Sequence, residues 1–269
     1  MKIAFLTEMG FDGKIPADHP NMRTEFAWMH ALDADQKIHY IQEGPHWFYN
    51  EYEVIDQIYF FNFLQSCDSI FTHNDSDIYY YKGLFPNKKV RPIGTLMIDT
   101  LIKDIVPTKE DKAIIGGNFA RWYGGFESYM IAGNFEVPIW AQTSHVTRDG
   151  EQFVDGINHF PRLWWHEWMQ ELSKFKYAVH LMPTVAAGTF ALNCAYFGIP
   201  CIGNQDVDTQ SLCHPSLSVA VNDLEAARKL AIRLRDDKDF YNECSEMAKA
   251  NYEACFSKEL WIKRIMAEL

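Results

Sequence analysis

The chain has 269 residues, is 48% hydrophobic and 15% aromatic, and so carries enough apolar material for folded cores and too much for disorder. Its 36 acidic and 25 basic residues leave a formal charge of −11, which excludes a broadly basic nucleic-acid surface while leaving room for a local positive cleft. No apolar run approaches the ~18 residues of a membrane span, and the opening MKIAFLTEMGF turns acidic too soon for a secretory signal, so a soluble cytoplasmic protein is expected.

Along the chain, short apolar runs alternate with helical spacings. Residues 2–7 (KIAFLT) read as a buried strand that opens into a Gly/Pro/Asp loop, followed by a helix over 22–32 and a strand over 37–41. An aromatic helix over 52–64, a strand over 69–72, a helix over 78–84 and a strand over 90–93 complete a first lobe, ending in the polar stretch around Pro107. The alternation then restarts: strand 113–115, helix 124–132, strand 137–141, strand 177–182, helix 189–197 and strand 200–202. Asn222 with Glu225 predicts a capping box for an amphipathic helix, and the tail is helical through Trp261 and Ile265. Strands alternating with helices imply α/β architecture with parallel sheets.

In such sheets ligands sit beyond the C-terminal ends of the strands. Gly116, Gly117, Asn118 and Arg121 follow the strand 113–115 directly. The glycines permit close backbone approach, the following helix start offers free amides, and Arg121 complements a phosphate. The segment is neither G-x-G-x-x-G nor a Walker A loop. Gly188 and Thr189 open the helix 189–197, and Asn193 lies one turn later on Thr189's side, so a diphosphate at the helix start and a sugar hydroxyl near Asn193 would both be served. Asp206, with Asp208, follows the next strand and suits a sugar hydroxyl, a cation or simply a turn.

The first lobe supplies acceptor-side candidates. Asp18 is the first choice for a base that activates an acceptor hydroxyl and Glu43 the second, with His19, Arg23, His46 and His73 as substrate contacts. The histidines are scattered and the six cysteines (67, 194, 201, 213, 244 and 255) form no Cys-x-x-Cys pair, so no resident metal site is read. Trp164, Trp165 and Trp168 are expected to pack inward; stacking on a base or sugar is the alternative.

The stretch Ala195-Tyr196-Phe197-Gly198-Ile199-Pro200 is similar to the donor-binding helix and terminal Gly-x-Pro of GT-B glycosyltransferases. The second lobe also resembles the phage glucosyltransferases that decorate 5-hydroxymethylcytosine in DNA, through Gly116, Gly117, Asn118, Phe119 and Arg121 and the acidic loop 202–208. The resemblance implies two Rossmann-like lobes with an interlobe cleft, here with a reduced first lobe. It divides the chain into an acceptor-side lobe 1–107, a donor lobe 108–257 and a helix 258–269 bracing the first lobe. It further implies a nucleotide-sugar donor, UDP-linked, with modified phage DNA as an acceptor and the host cytoplasm as location. The chain departs from the pattern at three places. Asn193 and Val185, eight residues earlier, stand where the family has glutamates, and Phe190 stands where the DNA enzymes have a phosphate-binding arginine. A small metabolite or glycan acceptor, a nucleotide-sugar hydrolase or epimerase, and a non-catalytic binding protein remain alternatives. Anomeric outcome, divalent-metal need and oligomeric state stay open.

Overall fold

The computed structural model describes residues 3–7, 35–41, 54–117, 123–142, 154–161 and 163–269. Contacts divide the chain into two units: residues 1–94 with 185–187 and 267–269, and residues 95–184 with 188–266.

The first unit is a four-stranded parallel sheet in the order β1-β2-β3-β4: β1 Ile3–Thr7, β2 Gln36–Ile41, β3 Ser69–Thr72 and β4 Lys89–Pro92. Helix α1 (Val54–Ser66) precedes β3, and α2 (Asp77–Leu84) connects β3 to β4. A parallel neighbour requires such a crossover. β3 is buried along its whole length, with Leu64, Tyr81, Phe85 and Val90 packed into the same interior. The aromatic run on α1 finds its partner in α2's exit, where Phe61 stacks on Phe85 at 4.9 Å between centroids.

The second unit is a six-stranded parallel sheet, order β10-β9-β8-β5-β6-β7. Its elements in chain order are β5 (Glu110–Ile115), α3 (Gly125–Ala132), β6 (Ile139–Gln142), β7 (Ile157–Phe160), α4 (Trp165–Leu172), β8 (Phe175–His180), α5 (Thr189–Phe197), β9 (Cys201–Asn204), α6 (Asp208–Cys213), β10 (Ser218–Val219), α7 (Leu224–Asp236), α8 (Lys238–Phe256) and α9 (Lys258–Glu268). Helices cover both faces, which is why the central strands read as continuous apolar runs. On one face Ile114 and Ala178 pack with Trp168, Leu192, Ala195 and Tyr252 from α4, α5 and α8. On the other, Ala113, Ile115, Tyr177 and Val179 pack with Ile131 of α3 and Ala227, Ala231 and Leu234 of α7. Both units are Rossmann-like, as the α/β alternation predicts. Five of the six cysteines are buried as free thiols and Cys255 is half-buried. No described helix is long and apolar enough to cross a membrane.

Two local expectations fail for definable reasons. Asn222 is not the cap of α7: it lies at φ 66°, in the left-handed region, and the carboxylate of Asp223 accepts from the Ala226 amide at 3.0 Å. Of the three tryptophans only Trp168 is in the core; Trp164 is 79% exposed and Trp165 38%. Trp164 precedes α4 in extended conformation, its amide donating to the Glu167 carboxylate at 2.9 Å, so the helical face that buries Trp168, Met169 and Leu172 does not include it. The helix expected over 22–32 lies outside the described residues.

Candidate functional site

The second unit's strand order sets the location. The chain runs from β5 outward through β6 and β7, then returns to the other side of β5 with β8, so the crevice between β5 and β8 is a topological switch point. Gly116 and Gly117 leave β5 there. The Gly116 amide donates to the Val179 carbonyl at 2.8 Å, extending the Ile115↔Val179 register and laying Gly116 beside His180, the last residue of β8. A Cβ at Gly116 would lie 2.6 Å from His180 Cγ and 2.8 Å from Phe190 Cδ1, so a side chain has no room. Gly117 turns at φ 70°, with Tyr123 close beneath.

The first turn of α5 closes the other side. Its N-cap is Gly188 at φ 67°, with no side-chain cap, so the amides at the helix start keep their hydrogen-bonding capacity. The carbonyl of Gly188 is fixed by Thr209 Oγ1, which donates to it at 2.8 Å. An uncapped helix start of this kind favours an anion through free N–H groups and the positive end of the dipole. The far end of α5 is closed as firmly: Gly198 at φ 64° forms a Schellman arrangement, with Gly198 N to Ala195 O at 2.9 Å and Ile199 N to Cys194 O at 2.8 Å.

Next to this crevice, starting with the residue after His180, lies an open cleft. Leu181, Met182 and Pro183 form one side, Val219 to Leu224 another, with Glu127 of α3 and Asn204 of β9 at its polar edge. Asn204 is buried and braces the wall, donating to Met182 O at 3.1 Å while its own oxygen accepts from the Asp206 amide at 2.9 Å. The mix of apolar wall with backbone edges suits the face of a flat heterocycle.

The structure brings Gly116, Gly117, Gly188 and Thr189 of the sequence candidates to this one crevice of the second unit. Thr189 is exposed, and Asn193 is 8% exposed with no hydrogen-bond partner for its amide among the described residues. Asp206 is an exposed turn residue whose backbone amide donates to Asn204 Oδ1. His73 lies in the first unit just beyond β3; burial lowers its pKa from 6.5 to about 3, so its imidazole is neutral. Asp18, His19, Arg23, Glu43, His46, Asn118 and Arg121 lie outside the described residues. No group of three or more metal-ligating side chains occurs among the described residues.

Sequence reasoning missed His180. Its signal was a single polar residue ending the apolar run FKYAVH on the strand that flanks the switch point. Burial holds its pKa down to about 4, so the imidazole is neutral at pH 7.

No protein-family model and no curated protein sequence matches the chain. Solved structures do. The sucrose-phosphate synthase tll1590 of Thermosynechococcus elongatus is 15% identical with a TM-score of 0.66, covering 92% of this chain and 70% of its own. An alpha-glucosyltransferase in complex with UDP and a 13-mer DNA containing an HMU base is 11% identical with a TM-score of 0.69, covering 99% of this chain and 79% of its own. An S. aureus TarM variant in complex with fondaparinux, alpha-GlcNAc-glycerol and UDP is 11% identical with a TM-score of 0.69; the match takes in 91% of this chain and about half, 53%, of that one. At these identities the likeness is one of fold, and that fold is the two-lobed, GT-B type.

Proposed function

We propose that the chain is a glycosyltransferase that moves a sugar from a nucleotide-sugar donor to an acceptor hydroxyl. The observation that carries the reading is the grouping, at the strand ends of the second unit, of an open cleft, His180, and an uncapped helix start beside a glycine turn. The base is assigned to the cleft lined by Leu181–Pro183 and Val219–Leu224. The diphosphate then falls at the first turn of α5, where oriented amides stabilise the charge that develops as the leaving group departs. In this reading Gly116 and Gly117 let the backbone approach the phosphates, Asn118 and Arg121 add polar and cationic contacts, and Asn193 orients the donor. UDP is the proposed carrier, supported by the presence of UDP in two of the fold relatives.

On the acceptor side, Asp18 is proposed to take the proton of the attacking hydroxyl, with Glu43 the second candidate and His19, Arg23, His46 and His73 as contacts. The acceptor proposed first is a hydroxymethylated pyrimidine in DNA, supported by a fold match covering 99% of this chain to an enzyme held with modified DNA. The net charge of −11 favours the second reading, a small hydroxylated metabolite or glycan, because duplex binding draws heavily on basic contacts to phosphate.

The test is calorimetric titration with UDP, followed by mass spectrometry of products from UDP-sugars offered hydroxymethylated DNA, unmodified DNA and small acceptors. Sugar transfer to one acceptor supports the reading and identifies the acceptor. Donor consumed without transfer makes the protein a hydrolase or epimerase, and donor bound but unchanged makes it a binding protein.

A further inference from the structure

His180, the last residue of β8, is a polar side chain at the switch-point crevice beside Gly116. It lies two residues beyond Ala178, which packs on the α5 face of the sheet, so its ring projects to that same face. There it meets Phe190, the second residue of α5, edge-to-face at 5.2 Å between centroids, while Gly116 covers its other side and the Tyr123 ring stands 6.3 Å away. The imidazole is thus wedged between the two features assigned to the diphosphate: the glycine turn and the helix start.

Its two nitrogens are not equivalent. Nε2 is sealed from solvent and has no hydrogen-bond partner, whereas Nδ1 is not enclosed in this way and part of the residue remains accessible. A neutral imidazole carries one proton, and an N–H buried with no acceptor is the rarer and costlier orphan. The proton therefore belongs on Nδ1, the reachable nitrogen. Burial keeps the ring from taking a second proton. A charged histidine would compete with water and counter-ions for its site; a neutral one held rigidly by packing offers a single directed hydrogen bond.

We propose that His180 is a donor-contact residue, giving its Nδ1–H to an oxygen of the nucleotide diphosphate at the mouth of the β5–β8 crevice. The role rests on the glycosyltransferase reading above and deepens it: a neutral ring from the sheet joins the amides at the start of α5 in holding the diphosphate. No proton is transferred; the bond orients the diphosphate and stabilises charge on it.

The experiment compares His180→Asn, His180→Gln and His180→Phe by calorimetric titration with UDP, inorganic pyrophosphate and uridine, with thermal melting as the control for folding. The asparagine amide nitrogen falls where Nδ1 stood and retains most of the affinity. The glutamine amide falls where buried Nε2 stood, and phenylalanine has no donor, so both weaken UDP and pyrophosphate binding about tenfold or more, the value of a hydrogen bond to a charged group. Uridine binding stays as in the wild type in all three. His180→Phe melts at or near the wild-type temperature, since it removes an orphaned buried nitrogen. Equal UDP affinity in the wild type and a folded Phe variant, or equal losses in Asn and Gln, overturns the role of His180 alone. Wild-type protein that binds neither UDP nor pyrophosphate overturns the donor-site reading and this inference together.

Discussion

Thr209 donates its hydroxyl to the carbonyl oxygen of Gly188 at 2.8 Å, and that bond occupies the space a side chain at Gly188 would need. A Cβ there would lie 2.0 Å from Thr209 Oγ1 and 2.6 Å from Val207 Cγ1, at a φ of 67°. Gly188→Ala is expected to combine left-handed strain with overpacking, destabilising the protein by about 2–4 kcal/mol and displacing the α5 start. Gly156 provides the control, with a φ of 80° and open space around its Cβ position, so Gly156→Ala should cost only the strain, about 1 kcal/mol. Urea unfolding of the two variants, with UDP titration of each, separates the contributions.

His214 should give the second unit an acid-sensitive step. Its Nε2 donates to the Ala191 carbonyl at 3.0 Å, the residue is buried, and burial lowers its pKa from 6.5 to about 4 against the smaller opposing effect of that bond. Above pH 6.5 it is neutral in both folded and unfolded chains and its contribution is fully present. As pH falls from 6.5 towards 4 the unfolded chain takes the proton first, and stability is lost over that window by up to about 3 kcal/mol. His214→Gln keeps a donor for Ala191 without the titration, and should flatten part of the fall in urea midpoint between pH 7 and pH 4.5.

Lys109 tests the opposite end of α5. Its ammonium donates to Gly198 O at 2.8 Å and to Ser245 Oγ at 2.7 Å, placing a cation at the helix's negative pole. Lys109→Met should lower stability by about 1–2 kcal/mol while leaving UDP affinity within twofold, since the donor is assigned to the other end. Chemical denaturation paired with UDP titration checks both.

Asn193→Ala separates packing from binding. The side-chain amide has no described partner, so its loss should move the melting temperature little, while donor affinity drops about fivefold to tenfold if it orients the donor. An unchanged Kd for UDP and for a UDP-sugar would return Asn193 to a packing role.

Arg121→Ala should weaken UDP and pyrophosphate binding by about tenfold or more, with uridine unaffected, because an arginine beside a diphosphate makes charge-assisted bonds. Unchanged affinity for pyrophosphate would defeat the assignment.

The elements most legible in the sequence were those with strong punctuation. The helix expected over 189–197 is α5 to the residue, because Gly188 and Gly198 bracket a run of small and apolar residues that tolerates burial on nearly every side. Strands β3, β5 and β8 were legible through their buried stretches, residues 69–72, 113–115 and 177–179, while the polar start of β5 at residues 110–112 and the ends of β8 at Phe175 and His180 were not. Short elements were not: β10 spans Ser218–Val219 and α6 spans Asp208–Cys213, too few residues to show a period. Adjacent Asn222 and Asp223 are equally good caps by type, and only the backbone turn at Asn222 decides between them. His180 was invisible as a site because its meaning comes from Gly116, 64 positions earlier by number and adjacent only through the β5–β8 pairing.

Helix α5 is anchored at both termini, by Thr209 on Gly188 and by Lys109 and Ser245 on Gly198. A nine-residue rod is thus tethered at each end, and a side chain at either flanking glycine would collide with its neighbours. Amide exchange along its middle should therefore require opening of the whole second unit, while the first-turn amides, which have no intrahelical acceptor, should exchange faster until an anion covers them. That contrast within a single short helix would let deuterium uptake report occupancy residue by residue, with no need to know the sugar or what receives it.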